Sequence, residues 1–246
     1  MEKQVLDYVL VPTGLMLMLV YHLWLLHQIV KHPTKTFIGI NAINRRFWVH
    51  AMMEDVSKNG VLAVQTMRNN IMASTVLASM AIMLSSVIAL LMGSAGSNRT
   101  TGIVYGDRSE LGFSIKFFSI LVCFLLAFLL NVQSIRYFSH SSMLINVPYK
   151  KISSNWDHHH HNYCVSAEYV GRTVNMGSYY WSLGLRAFYF SFPLFLWIFG
   201  PIPMFLSCLV LVFMFFFLDV TIDSGRVAGA SDDEDHHHDH QDEEIR

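Results

Sequence analysis

The chain has 246 residues, of which 53% are hydrophobic and only 14% charged, and its mean hydropathy is +0.38. That composition leaves too little polar surface to cover a water-soluble globule of this length. A net charge of −1 offers no nucleic-acid surface, and it conceals a layout in which bases gather in two loops while nearly half of the acids follow residue 230.

A helix crosses the hydrocarbon core with about 20 apolar residues, since ~1.5 Å per residue must add up to ~30 Å. Residues 5–30 form the first such stretch. It is too long for a signal peptide, lacks a basic lead-in and ends without a small-residue cleavage site, so a retained anchor is expected. The loop that follows, residues 31–70, carries Lys31, Lys35, Arg45, Arg46, Lys58 and Arg68. Within it Val49, Met53, Val56, Gly60, Val64, Met67 and Ile71 recur at steps of three and four, which predicts an amphipathic helix over 47–70 running straight into the second span.

The second span, residues 71–93, places Ser74, Ala78, Ala81, Ser85, Ala89 and Gly93 on one stripe. Small residues let another helix approach closely, so the stripe predicts packing inside the subunit. A seam between copies is a sharper alternative, as is a pore wall offering the hydroxyls of Ser74, Ser85 and Ser86. The next loop contains Asn98-Arg99-Thr100, a glycosylation sequon with Asn98 as acceptor. The third span, residues 113–132, runs out at Asn131 and Gln133, and Lys116 near its other end is expected to snorkel. Residues 133–183 bring Arg136, Lys150, Lys151 and Arg172, together with the run His158, His159, His160 and His161.

Residues 184–220 are nearly all apolar but interrupted by Gly200-Pro201-Ile202-Pro203. A straight helix would reach roughly 55 Å, so the segment is either one kinked span or a hairpin of spans 184–199 and 203–220. The hairpin is favoured, because Gly200 can end one helix and proline can open the next. Residues 223–246 form an acidic, His-rich tail with too little apolar surface to fold, expected to be disordered. The reading is therefore an all-α polytopic membrane bundle over residues 1–222, with four or five spans and one amphipathic helix. The excess of Lys and Arg places the first and third loops in the cytoplasm and the N-terminus outside, in the plasma membrane or endomembrane system.

His22, His27, Asn131, Gln133 and Arg186 all fall toward the cytoplasmic side of this topology. Snorkelling or helix-end hydrogen bonding accounts for each, and a shared polar vestibule with Arg186 as an anion-binding or gating charge is the sharper alternative. The histidine runs, with His236, His237, His238 and His240 in the tail, could hold a transition metal loosely, but neither has the spacing of a closed or catalytic site. Cys123 and Cys208 lie in apolar runs and Cys164 in a polar loop, so no disulfide framework is implied. No nucleophile elbow, P-loop, dinucleotide fingerprint or metalloprotease helix is present, and no cofactor is implied.

Arg46-Phe47-Trp48-Val49, Leu62 through Thr75 and Leu77-Ala78-Ser79 together form a block that resembles an uncharacterised membrane family of plants and bacteria, domain of unknown function 599. The resemblance extends to Gly184-Leu185-Arg186-Ala187-Phe188-Tyr189-Phe190, Leu196-Trp197 and Gly200-Pro201, covers residues 5 to about 222, and is nearest the plant branch. It implies a helical membrane protein without a settled activity. Bacterial members tend to carry a basic segment after the last span, where this chain has Asp219, Asp223 and an acidic tail. The leading functional expectation is a non-enzymatic oligomeric channel or transporter-like bundle, whose partners are the bilayer and further copies of itself. A membrane-anchored scaffold that docks cytoplasmic proteins is the alternative, and an intramembrane enzyme using His22, His27, Asn131 and Arg186 is the third.

Overall fold

Hydrocarbon cannot hydrogen-bond a peptide group, so a chain this apolar has to close its backbone within helices. The computed structural model, which describes residues 2–95, 110–147 and 166–220, does so with six α-helices. They are α1 (Glu2–Lys31), α2 (Phe37–Glu54), α3 (Val56–Ala95), α4 (Glu110–Leu144), α5 (Ala167–Leu196) and α6 (Pro201–Asp219), with a 3₁₀ turn at Pro33–Lys35 between the first two. Four segments are long and apolar enough to cross a membrane, namely Leu6–Lys31, Val56–Gly93, Leu111–Leu144 and Pro201–Asp219.

The helices pack in an alternating up-and-down order. The stripe on α3 meets α4 antiparallel, with Ser74 Oγ 3.1 Å from Ser134 Oγ, and Ala81 and Ile88 in one core with Phe117, Ile120 and Phe124. Helix α5 returns along α4: Tyr137 stacks on Tyr180 at 5.3 Å, Ser134 Oγ donates to the Gly177 carbonyl at 2.8 Å, and Phe124 meets Phe188 at 5.6 Å. Two glycines permit that approach, since a Cβ at Gly177 would lie 3.0 Å from the Phe138 ring and one at Gly184 would overlap the Asn131 amide.

The Gly-Pro break makes a hairpin. Gly200 takes φ 150, a region L side chains rarely adopt, and Pro201 opens α6 where no amide hydrogen is needed. Tyr189 then lies against Phe215, and Arg186 reaches Asp219. Helix α1 runs alongside α6, packing Gly14 on Cys208 and stacking Tyr21 on Phe215.

With 40 and 35 residues, α3 and α4 are about 60 and 52 Å long, far more than a ~30 Å hydrocarbon core. The surplus lies at one end, where α2, α3, α4 and α5 enclose a second core of Val49, Met53, Ala63, Met67, Phe138, Ile145, Val170 and Val174. Arg45 Nε donates to Asn175 Oδ1 at 2.8 Å, and Asn175 Nδ2 donates to the Ala42 carbonyl at 3.0 Å, tying α2 to α5. Burial pushes the Arg45 guanidinium below the ordinary arginine range. The described residues of both basic stretches therefore share one end of the bundle.

Three element boundaries differ from the sequence reading. The helix expected over 47–70 is two helices, because Asp55 breaks the ladder and its carboxylate accepts from the Lys58 amide at 3.1 Å, opening α3. Asn59 Nδ2 bridges the break to the Ala51 carbonyl at 3.1 Å, so the apolar faces stay in register across it. Helix α2 also starts at Phe37, where the buried Thr36 hydroxyl accepts from the Gly39 amide at 3.2 Å. Helix α5 starts at Ala167 under the Ser166 cap, well before the apolar run at 184, because the second core rather than hydrocarbon receives its first turns.

Candidate functional site

Residues 184 and 186 lie about 200° apart on a helix, so with Gly184 turned to α4, Arg186 is turned to the opposite side of α5. There its Nη2 donates to Asp219 Oδ1 at 2.5 Å, with the two side chains only 13% and 7% exposed. The second carboxylate oxygen accepts from the Tyr21 hydroxyl at 2.8 Å. A carboxylate on the last residue of a helix faces the negative end of the helix dipole, and in an apolar seam it also loses hydration. Arg186 and Tyr21 supply the compensating charge and hydrogen bond.

Phe215, one turn before Asp219, organises the surroundings. The Arg186 guanidinium carbon stands 5.1 Å from its ring centre, a cation–π geometry, while Tyr21 stacks on it at 6.4 Å and His22 meets it edge-on at 6.0 Å. His22 Nδ1 lies 2.7 Å from the Met18 carbonyl, which can only accept, so a neutral ring keeps Nε2 as its acceptor. Arg186 Nη1 is buried with no hydrogen-bond partner among the described residues. An isolated bridge between Thr36 and Val220 pins the residue after Asp219 to the start of α2.

The remaining residues singled out in the sequence are dispersed. His27 is exposed and Gln133 half-buried. Ser74 is spent on Ser134, while Ser85 and Ser86 donate to their own helix at the Ala81 and Ile82 carbonyls, 2.9 and 3.0 Å away. The small-residue stripe is buried from Ser74 to Ala81 and opens outward at Ala89 and Gly93. Asn131 is buried with Nδ2 donating to the Ala127 carbonyl and Oδ1 without a hydrogen-bond partner among the described residues. It faces Gly184, on the far side of α5 from Arg186, so of the expected vestibule only His22 and Arg186 share a neighbour, each lying against the Phe215 ring. Lys116 does not snorkel: it is buried, with Nζ 5.4 Å from the Trp197 ring centre, and Trp197 Nε1 donates to Asp7 Oδ1 at 3.3 Å.

Asn98, Cys164, His158, His159, His160, His161, His236, His237, His238 and His240 lie outside the described residues. Among those described, no group of three potential metal ligands occurs. Sequence reasoning missed Tyr21 and Asp219 as site residues. The available signal was that Arg186 and Asp219 are the single base and single acid of the apolar segment 184–220, placed so that a hairpin at Gly200 brings them level.

Long apolar helices arranged around a buried ion pair define a multi-pass helical membrane protein. Residues 9–224 match the family described as protein of unknown function, DUF599, and the chain belongs to that family. Comparison with curated proteins gives no match, and comparison with solved structures gives none either.

Proposed function

We propose that the protein is a non-enzymatic, transporter-like bundle that moves an ion or small solute as an oligomer, with the α1–α5–α6 seam as its working part. Five helices cross the membrane, α5 among them, with the basic end cytoplasmic and the N-terminus outside. The observation that carries the reading is the buried Arg186–Asp219 pair, held by Tyr21 and retaining a guanidinium nitrogen with no hydrogen-bond partner among the described residues. Ionisable groups buried among apolar spans are costly, and ion or substrate paths are among the places where they occur. The hydroxyls of Ser85 and Ser86 are satisfied within α3, which favours this seam over the α3 stripe as the path.

Purified protein in sealed liposomes should carry a flux from a broad ion and solute panel that Arg186→Gln or Asp219→Asn abolishes and Ser86→Ala leaves intact. Absence of any flux, or flux indifferent to both seam variants, overturns the reading. The packed core beyond the hydrocarbon favours a second function, a membrane-anchored scaffold whose cytoplasmic face recruits proteins. Deleting residues 228–246 separates the two, because a scaffold docking through its tail loses partners while a transporter keeps its flux.

A further inference from the structure

The last described residue is Val220, and the Thr36–Val220 bridge holds it against the start of α2. Around it stand exposed Lys31 at the end of α1 and exposed Lys35 in the 3₁₀ turn. About 15 Å further along α2, a distance set by ten residues of helix, Arg46 meets α5. Arg46 and Arg172 both approach Glu168, at 3.7 and 3.9 Å, yet their side chains remain 52% and 68% exposed. One partly exposed carboxylate thus stands between two open guanidinium groups; of the other described acids of this end, Glu54 and Asp55 sit at the far end of α2 and Asp219 is buried on Arg186.

The segment emerging at that point, residues 221–246, is of opposite charge. It holds Asp223, Asp232, Asp233, Glu234, Asp235, Asp239, Asp242, Glu243 and Glu244 against Arg226 and Arg246. We propose that residues 232–244 bind in cis to the basic face formed by Lys31, Lys35, Arg46 and Arg172. Reach is sufficient, since the twelve residues from Val220 to Asp232 span up to about 40 Å when extended, well over the distance to Arg46. A single exposed ion pair contributes little, but several pairs on a tethered segment act at a high effective concentration. In that state the acidic segment competes for the face with other polyanions, including anionic lipid headgroups.

The test uses the full chain in neutral detergent, as a mixture of isotopically light and heavy protein, treated with a carbodiimide that joins carboxylates to amines. Cross-links from residues 232–244 to Lys31 and Lys35 are expected at low salt, predominantly within one chain. They should be lost at 1 M salt, where the screening length contracts from about 10 to about 3 Å. Neutralising Asp232, Asp233, Glu234 and Asp235 to amides, a change confined to the tail, should abolish the salt-sensitive links from Asp239, Asp242, Glu243 and Glu244. Arg46→Glu with Arg172→Glu should do the same from the other side. Absence of cross-links, cross-links mainly between light and heavy chains, or a yield unchanged at 1 M salt overturns the proposal.

Discussion

Replacing Asp219 by Asn tests how the seam is held. The substitution keeps the shape and an acceptor for Tyr21, but it leaves the Arg186 guanidinium, 13% exposed, without its counter-charge. Breaking a buried pair from one side costs about 3–5 kcal/mol, and in a chain of this length ~1 kcal/mol moves a melting midpoint by about 2–4 °C. Asp219→Asn should therefore lower the midpoint by roughly 6–20 °C. Replacing both partners by apolar residues, Arg186→Met with Asp219→Leu, removes two charges from an apolar site and should recover most of that loss. Heating the detergent-solubilised parent, Arg186→Met, Asp219→Leu and the double variant, and following tryptophan fluorescence or helical dichroism, gives the four midpoints of a double-mutant cycle, with Asp219→Asn as a fifth chain. Additive single effects, or an Asp219→Asn midpoint within ~2 °C of the parent, would show that the pair is not buried as described.

Three further expectations concern the packing of α5 against α4 and α2. Gly184→Ala pushes a methyl group into the Asn131 amide and should cost about 1–3 kcal/mol, with part of the loss restored by Asn131→Ala in the same chain, as read by thermal midpoints. Ser134→Ala removes the bond to the Gly177 carbonyl and the partner of Ser74, and should cost about 0.6–1.7 kcal/mol, while Ser86→Ala stays within about 0.5 kcal/mol. Asn175→Ala strands Arg45 Nε and the Ala42 carbonyl, a loss of about 1–3 kcal/mol confined to the second core. Hydrogen exchange should then quicken in α2 with α4 unchanged, and uniform exchange across the bundle would refute that locality.

Where hydrocarbon dictates the answer, the sequence was readable. The three long apolar runs lie within α1, α3 and α4, and α5 and α6 fold on each other at Gly200-Pro201. Beyond the hydrocarbon, the same rules lost their hold. The break at Asp55 was invisible because Asn59 and the packed faces keep helical periodicity running through it. The early start of α5 at Ala167 was hidden because Glu168, Arg172 and Asn175 look like loop residues until α2 is there to pair with them. At the site, polarity at membrane depth was enough to flag His22 and Arg186. Asp219 escaped, because a carboxylate at the end of an apolar run reads as a helix terminus until the hairpin brings it level with Arg186. Asn131 resembled a site residue for the same reason that Arg186 did, and only the 200° between Gly184 and Arg186 separates them.

The proposed function requires five crossings with both basic stretches on one side, whereas four described helices are long and apolar enough to cross and α5 is not among them. With the native cysteines Cys123, Cys164 and Cys208 replaced, single cysteines at Asn44 in α2, Leu111 at the start of α4, Tyr169 in α5 and Ile202 at the turn between α5 and α6 sample both faces at exposed positions. In sealed, oriented vesicles, a membrane-impermeant thiol reagent should label positions 44 and 169 from the same side and positions 111 and 202 only from the other. Labelling of 202 from the same side as 169, or of 44 and 169 from opposite sides, would contradict five crossings.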